Sequence, residues 1–169
     1  MKDLHQENKS VYIDRYLQKI DETDPVAALT LNEKEIVAFF NSISEAQSHL
    51  RYQSDKWSIK EILQHCIDVE RIFTYRALCF ARNEETNLAG FDENAYVQNA
   101  QADGRHWNEL CIEMSAVRKA SLLLYQSFSQ TALLQAGTAN NLTINAQTIG
   151  RILAGHWLHH IQVIKERYL

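Results

Sequence analysis

Apolar residues recur every three to four positions along four long stretches of the chain, the spacing of helices that bury one face. Ahead of them, Ser10 to Ile20 is amphipathic through Val11, Tyr12, Tyr16, Leu17 and Ile20, which predicts a short helical arm. Pro25 directly after Asp24 reads as the first position of a helix. The first long helix is predicted from Pro25 to Ser42, with Leu29, Ile36, Phe39, Phe40 and Ile43 on or next to its apolar face. In the second, Ser58-Ile59-Lys60-Glu61 is a capping box and Trp57 is placed to staple against Ile62, with the helix continuing to about Asn83. A loop spans Glu84 to Asp92. The amphipathic piece Glu93 to Gln101 is broken at Asp103-Gly104, and the third helix runs from Arg105 to Ser129 through Leu110, Met114, Val117, Ser121, Leu124 and Phe128. The connection Thr131 to Leu142 carries Gly137 and Asn140-Asn141, and the fourth helix starts near Thr143 or Asn145 and persists to the end. Four such helices with moderate connections predict a four-helix bundle, one domain over residues 1–169 with its arm at about 10–20.

Composition narrows the class to all-α. The 169 residues include five glycines and one proline, and neither occurs between Val26 and Leu88, whereas sheet folds need turn residues every ten or so positions. Net charge is −4 from 17 basic and 21 acidic residues, and the basic ones are scattered, which excludes a nucleic-acid-binding footprint. The N-terminus has no apolar leader, and the longest aliphatic cluster, Leu122-Leu123-Leu124, is too short for a bilayer, so a cytoplasmic protein without membrane partners is expected. Cys66, Cys79 and Cys111 lack CxxC spacing and lie in apolar helical patterns, where Cys acts as a small hydrophobe.

The candidate chemistry lies in three of the seven histidines. On the last helix His160 falls about 40° from His156, and both lie in the stripe formed by Ile149, Ile152, Leu153 and Val163; His159 lies at its edge. On the second helix His65 shares its face with Ile62, Val69, Ile72 and Arg76, all within about 60°. Imidazoles at i and i+4 on a buried face suit a metal chelate, and His65 would complete an open site of three neutral nitrogens. Hydrogen-bonded core histidines are the other reading, although two on one stripe are hard to satisfy among Ile, Leu and Val. Gly150 and Gly155 lie inside the last helix at a cost of about 1 kcal/mol each, which predicts close approach of a neighbouring helix or ligand beside His156. Arg76 is a candidate for binding an anion or for pairing with Glu70 or Glu166. Glu70 and Asp68 are candidate acceptors for a ligand N–H. His5, His49 and His106 have polar neighbours and are expected at the surface.

The segments Lys56-Trp57-Ser58-Ile59-Lys60-Glu61-Ile62-Leu63-Gln64-His65, Glu70 to Leu78, Leu88 to Glu93 and Ala154-Gly155-His156-Trp157-Leu158-His159-His160 closely resemble the DinB/YfiT-like superfamily. The resemblance covers about Asp14 to Arg167 and is most specific in the KWSxKExxxH and GHxxHH segments. The group is unrelated to the DNA polymerase that shares the DinB label. The resemblance implies an up-up-down-down four-helix bundle, a divalent metal ion, zinc or nickel, on His65, His156 and His160, and a homodimer; His159 has no ligand role in the family pattern. Relatives include bacillithiol- or mycothiol-dependent S-transferases, a mycothiol-dependent isomerase and proteins described as metal-dependent hydrolases. By that resemblance the chain is expected to be a metal-dependent transferase or hydrolase acting on a small molecule, with a low-molecular-weight thiol as candidate partner. A non-catalytic, stress-related metal-binding bundle or dimerisation module is the alternative.

Overall fold

Asp24 starts the first long helix: its extended backbone (φ −81°, ψ 122°) lets its carboxylate accept the Ala27 N–H at 2.9 Å, while Pro25 fills a position whose N–H would be orphaned. The computed structural model describes residues 9–169, so His5 lies outside the described residues. In chain order it contains α1 (Lys9–Leu17), α2 (Pro25–Asn41), α3 (Glu45–Ser48), α4 (Ile59–Ala81), α5 (Glu93–Ala100), a single 3₁₀ turn (Ala102–Gly104), α6 (Trp107–Gln126), α7 (Gln130–Leu134), β1 (Ala136–Ala139), β2 (Leu142–Asn145) and α8 (Ala146–Arg167). The long helices α2, α4, α6 and α8 form a four-helix bundle. Both α8 and α6 pack against α2 and α4, which places α2 and α4 across a diagonal, and α1 lies against α8.

The core falls into two apolar clusters. One gathers Leu29, Val69, Phe80, Tyr125, Ile149 and Leu153; the other gathers Ile36, Phe40, Leu63, Ile67, Leu110, Trp157 and Ile161. Burial of residues of this size contributes about 1.5–3 kcal/mol apiece, so the two clusters set the helix packing. His156 sits on α8 between Leu153 of the first cluster and Trp157 of the second. Cys66 and Cys111 are buried and Cys79 is half-buried, all as free thiols.

The all-α bundle carries one element that is not helical. The connection after α6 folds into α7 and an antiparallel hairpin, with Ala136 opposite Asn145 and Ala139 opposite Leu142. Its turn is Asn140-Asn141, both at positive φ (51° and 59°), the left-handed pair required by the two-residue turn that matches strand twist. Leu88 bonds to the hairpin through Thr138 O and Asn140 N, both at 2.9 Å, so the loop after α4 is tied to it. At Gly137 a Cβ would sit 2.0 Å from the Phe80 ring, and its absence lets the strand lie on the end of α4.

Candidate metal centre

Two pieces of local structure aim the histidines. At the start of α4 the Ser58 hydroxyl accepts the Glu61 N–H at 3.1 Å and the Glu61 carboxylate accepts the Ser58 N–H at 2.8 Å, so the capping box is complete. Ser58 Oγ also donates to Asp103 at 2.6 Å, and Arg51 bridges Glu61 and the Lys56 carbonyl, both at 2.6 Å. Lys60 is buried and donates to Glu45 and, at 2.6 Å, to the Arg105 carbonyl. These contacts bind α4 to α3 and to the approach to α6, fixing the rotation that turns His65 inward. At the other end of the site, Asn145 caps α8 by accepting the Thr148 N–H at 2.8 Å.

Both helix-interior glycines meet neighbouring chain. A Cβ on Gly150 would lie 2.6 Å from Pro25 and 2.7 Å from the Tyr125 ring, and a Cβ on Gly155 would lie 2.1 Å from the Tyr16 carbonyl oxygen. Of the two expected causes, helix approach is the one the structure shows. The Tyr16 ring then stands edge-on to His156 at 5.3 Å and to His159 at 5.6 Å.

His65, His156 and His160 converge through their Nε2 atoms. His156 Nε2 is 3.2 Å from that of His65 and 3.1 Å from that of His160, and one ligand atom from each residue lies within 4.8 Å of the others. Zinc–nitrogen bonds of about 2.0–2.1 Å in a tetrahedral arrangement put neighbouring nitrogens about 3.3 Å apart, so the observed spacings are close to those of a metal chelate. His65 and His156 are buried, and His160 is partly exposed at the edge of the site. Burial, seconded by His159, pushes His65 down to about 4; burial first, then the neighbouring imidazoles, joined at His156 by Arg118, holds His156 and His160 well below the ordinary imidazole value. The three rings are therefore neutral at pH 7 and carry lone pairs, the donor set a divalent transition ion prefers. Among the described residues no other group of three His, Cys, Asp or Glu side chains converges in this way.

The other sequence candidates lie elsewhere. Asp68 accepts from Gln64 at 2.9 Å and faces Arg71 at 4.0 Å. Arg76 donates to the Ala89 carbonyl at 2.8 Å and lies over the Phe73 and Phe91 rings, so it clamps the loop after α4 to that helix. Glu70 is fully buried and pairs with Arg118, whose Nη2 is 2.9 Å from Glu70 Oε2, rather than with Arg76. The same oxygen accepts the Trp157 indole N–H at 2.6 Å, which ties α4 to the residue after His156. Sequence reasoning missed Arg118; its spacing from Met114, Ser121 and Tyr125 puts a charge on the buried stripe of α6, and that was its signal. His49 and His106 are exposed, as expected.

Fold and site together define a helical bundle with an inward-facing trihistidine cluster. The sequence profile of the DinB superfamily matches residues 28–164, and the chain belongs to that superfamily. No curated protein matches the chain. Among solved structures it is similar to YfiT from Bacillus subtilis, described as a "probable metal-dependent hydrolase with an unusual four-helix bundle topology", at a TM-score of 0.68 and 15% identity over 98% of this chain and 89% of that one.

Proposed function

We infer that the chain is a metal-dependent enzyme in which His65, His156 and His160 hold a divalent ion, zinc or nickel, for chemistry on a small molecule. The observation that carries this reading is the convergence of the three Nε2 atoms, those of His65 and His160 lying 3.2 and 3.1 Å from that of His156. Three protein ligands leave a coordination position for substrate, and the partly exposed His160 marks the side from which it enters. A bound ion supplies Lewis acidity, lowering the pKa of a thiol or a water so that a nucleophile exists near neutral pH. The chain contributes the rest: His65 and His156 present fixed lone pairs from the neighbouring helices α4 and α8, Tyr16 and Trp57 wall the histidines with aromatic surface, and burial keeps the imidazoles neutral. The superfamily resemblance and the YfiT fold support S-transfer from a low-molecular-weight thiol or hydrolysis as the reaction class. Exposed Ile112 and Leu123, about three turns apart on one face of α6, support a homodimer. Placement in the cytoplasm agrees with there being no described helix long and apolar enough to cross a membrane.

Metal analysis of protein purified without a histidine tag tests the site. One ion per chain that is lost in His156→Ala is expected; metal that this substitution does not reduce overturns the reading. A screen of low-molecular-weight thiols and hydrolysable esters on the loaded protein then separates transferase from hydrolase.

A further inference from the structure

Among the described residues six buried side-chain polar atoms have no hydrogen-bond partner, and five of them belong to Glu70, Arg118 and His156. Glu70 Oε1 is an acceptor without a donor. Nε, Nη1 and Nη2 of Arg118 are donors without an acceptor, since the 2.9 Å approach to Glu70 makes an ion pair but not an aligned hydrogen bond. His156 Nδ1 is the fifth atom. The three residues are 0%, 1% and 1% exposed, so bulk water does not reach them. They also share one neighbourhood: Trp157 bonds to Glu70, lies 5.7 Å beneath the Arg118 guanidinium and directly follows His156, and the Arg118 charge acts on the His156 ring. Buried polar groups left unsatisfied are destabilising, and natural cores remove that cost with ordered water making about two to four hydrogen bonds. A carboxylate oxygen and a guanidinium fork offer both roles such a water needs.

We propose that Glu70 and Arg118 form a hydrated polar site behind the trihistidine cluster, where ordered water carries a hydrogen bond from His156 Nδ1–H to the Glu70 carboxylate and so keeps His156 Nε2 free as a lone-pair donor. Glu70 and Arg118 are then positioning residues, acting through His156. The assignment fits the other side of the ring, where Nε2 lies between two imidazole nitrogens and can accept from one of them while metal is absent. It rests on the metal reading only for its consequence on affinity, because the tautomer of His156 is a property of the metal-free chain as well.

The test is ¹⁵N-histidine NMR of the full chain, metal-free and zinc-loaded, with the His156 resonances assigned by their loss in His156→Gln. The proposal expects His156 protonated at Nδ1 in both states, with a slowly exchanging Nδ1–H that shows a cross-peak to water. It also expects Glu70→Gln to shift the Nδ1 resonance and weaken zinc binding 10- to 100-fold in a chelator competition, the range found when an outer partner of a ligating histidine is lost. Protonation at Nε2 in the metal-free wild type overturns it, and so do an unmoved Nδ1 resonance and an unchanged zinc Kd in folded Glu70→Gln. Should Glu70→Gln not fold, the wild-type tautomer decides alone. A wild type that binds no zinc yet carries the Nδ1 proton and the water contact defeats the metal reading and leaves the hydrated site standing.

Discussion

Gly155 and Tyr16 are in backbone contact: the α-carbon of one faces the carbonyl of the other so closely that a methyl group would lie 2.1 Å from the oxygen. The neighbour is main chain, so no rotamer change relieves the overlap. Gly155→Ala is expected to lift α1 from α8, the overlap costing about 1–3 kcal/mol and outweighing the gain of about 1 kcal/mol from replacing a helical glycine. Gly104→Ala is the control, since a Cβ there meets nothing within 4 Å. Urea denaturation gives the stability, and limited proteolysis after α1 shows whether the arm is released. Equal stability of the two variants would show that the arm tolerates displacement at no cost.

That contact also shows how far the sequence reached. Two glycines inside an apolar helix stood out as an anomaly beside His156, and helical periodicity alone put His65, His156 and His160 on inward faces. Periodicity ranks positions on one helix and is silent on which helix lies opposite, so the choice between helix and ligand at Gly155 waited for Tyr16. The hairpin was illegible for a different reason: its turn is Asn-Asn rather than Asn-Gly, and four-residue strands are too short to show alternation. Arg118 was hidden because a long basic side chain on a mostly apolar stripe reads as surface until its acidic partner, Glu70, is found on another helix.

The histidines are expected to act as a unit in metal retention while their neighbour does not. His65→Ala, His156→Ala and His160→Ala should each strip the ion, whereas His159→Ala should leave it in place. Thermal melts give a second measurement: an ion held at 100 times its Kd stabilises the native state by about 2.7 kcal/mol, so a chelator should lower the wild-type melting temperature and leave His156→Ala unchanged. A chelator-insensitive wild type would remove the ion from the account of this site.

The KWSxKE segment is expected to matter for the fold and not for the chemistry. Lys60 is 2% exposed and its ammonium binds Glu45 and the Arg105 carbonyl, far from any ligand role. Lys60→Met should remove the donor from the Arg105 carbonyl and lower stability by about 1–3 kcal/mol, with one ion per folded chain still bound. Loss of metal from a folded Lys60→Met protein would show that the joint between α3, α4 and α6 controls the site more directly than its contacts imply.

Acid should unfold the metal-free protein through the same three rings and through His159, which burial likewise holds down to about 4. Burial holds His65 down to about 4 and His156 and His160 well below their ordinary value, whereas in the unfolded chain each titrates near 6.5. Below about pH 6.5 the unfolded state therefore binds protons that the native state refuses, and stability falls as pH falls, by up to about 1.4 kcal/mol per pH unit for each proton. For His65 the loss runs from about 6.5 down to about 4; for the other two it continues lower. Above pH 7 these groups contribute no slope. Urea midpoints of chelated protein from pH 8 to pH 4.5 should be level at first and then drop steeply, and His160→Leu, which removes one titrating ring at the partly exposed edge of the cluster, should make the drop shallower. A midpoint that is flat across pH 6.5 to 4.5, or equally steep in His160→Leu, would mean that the rings accept protons in the folded state and are not the neutral donors their surroundings indicate.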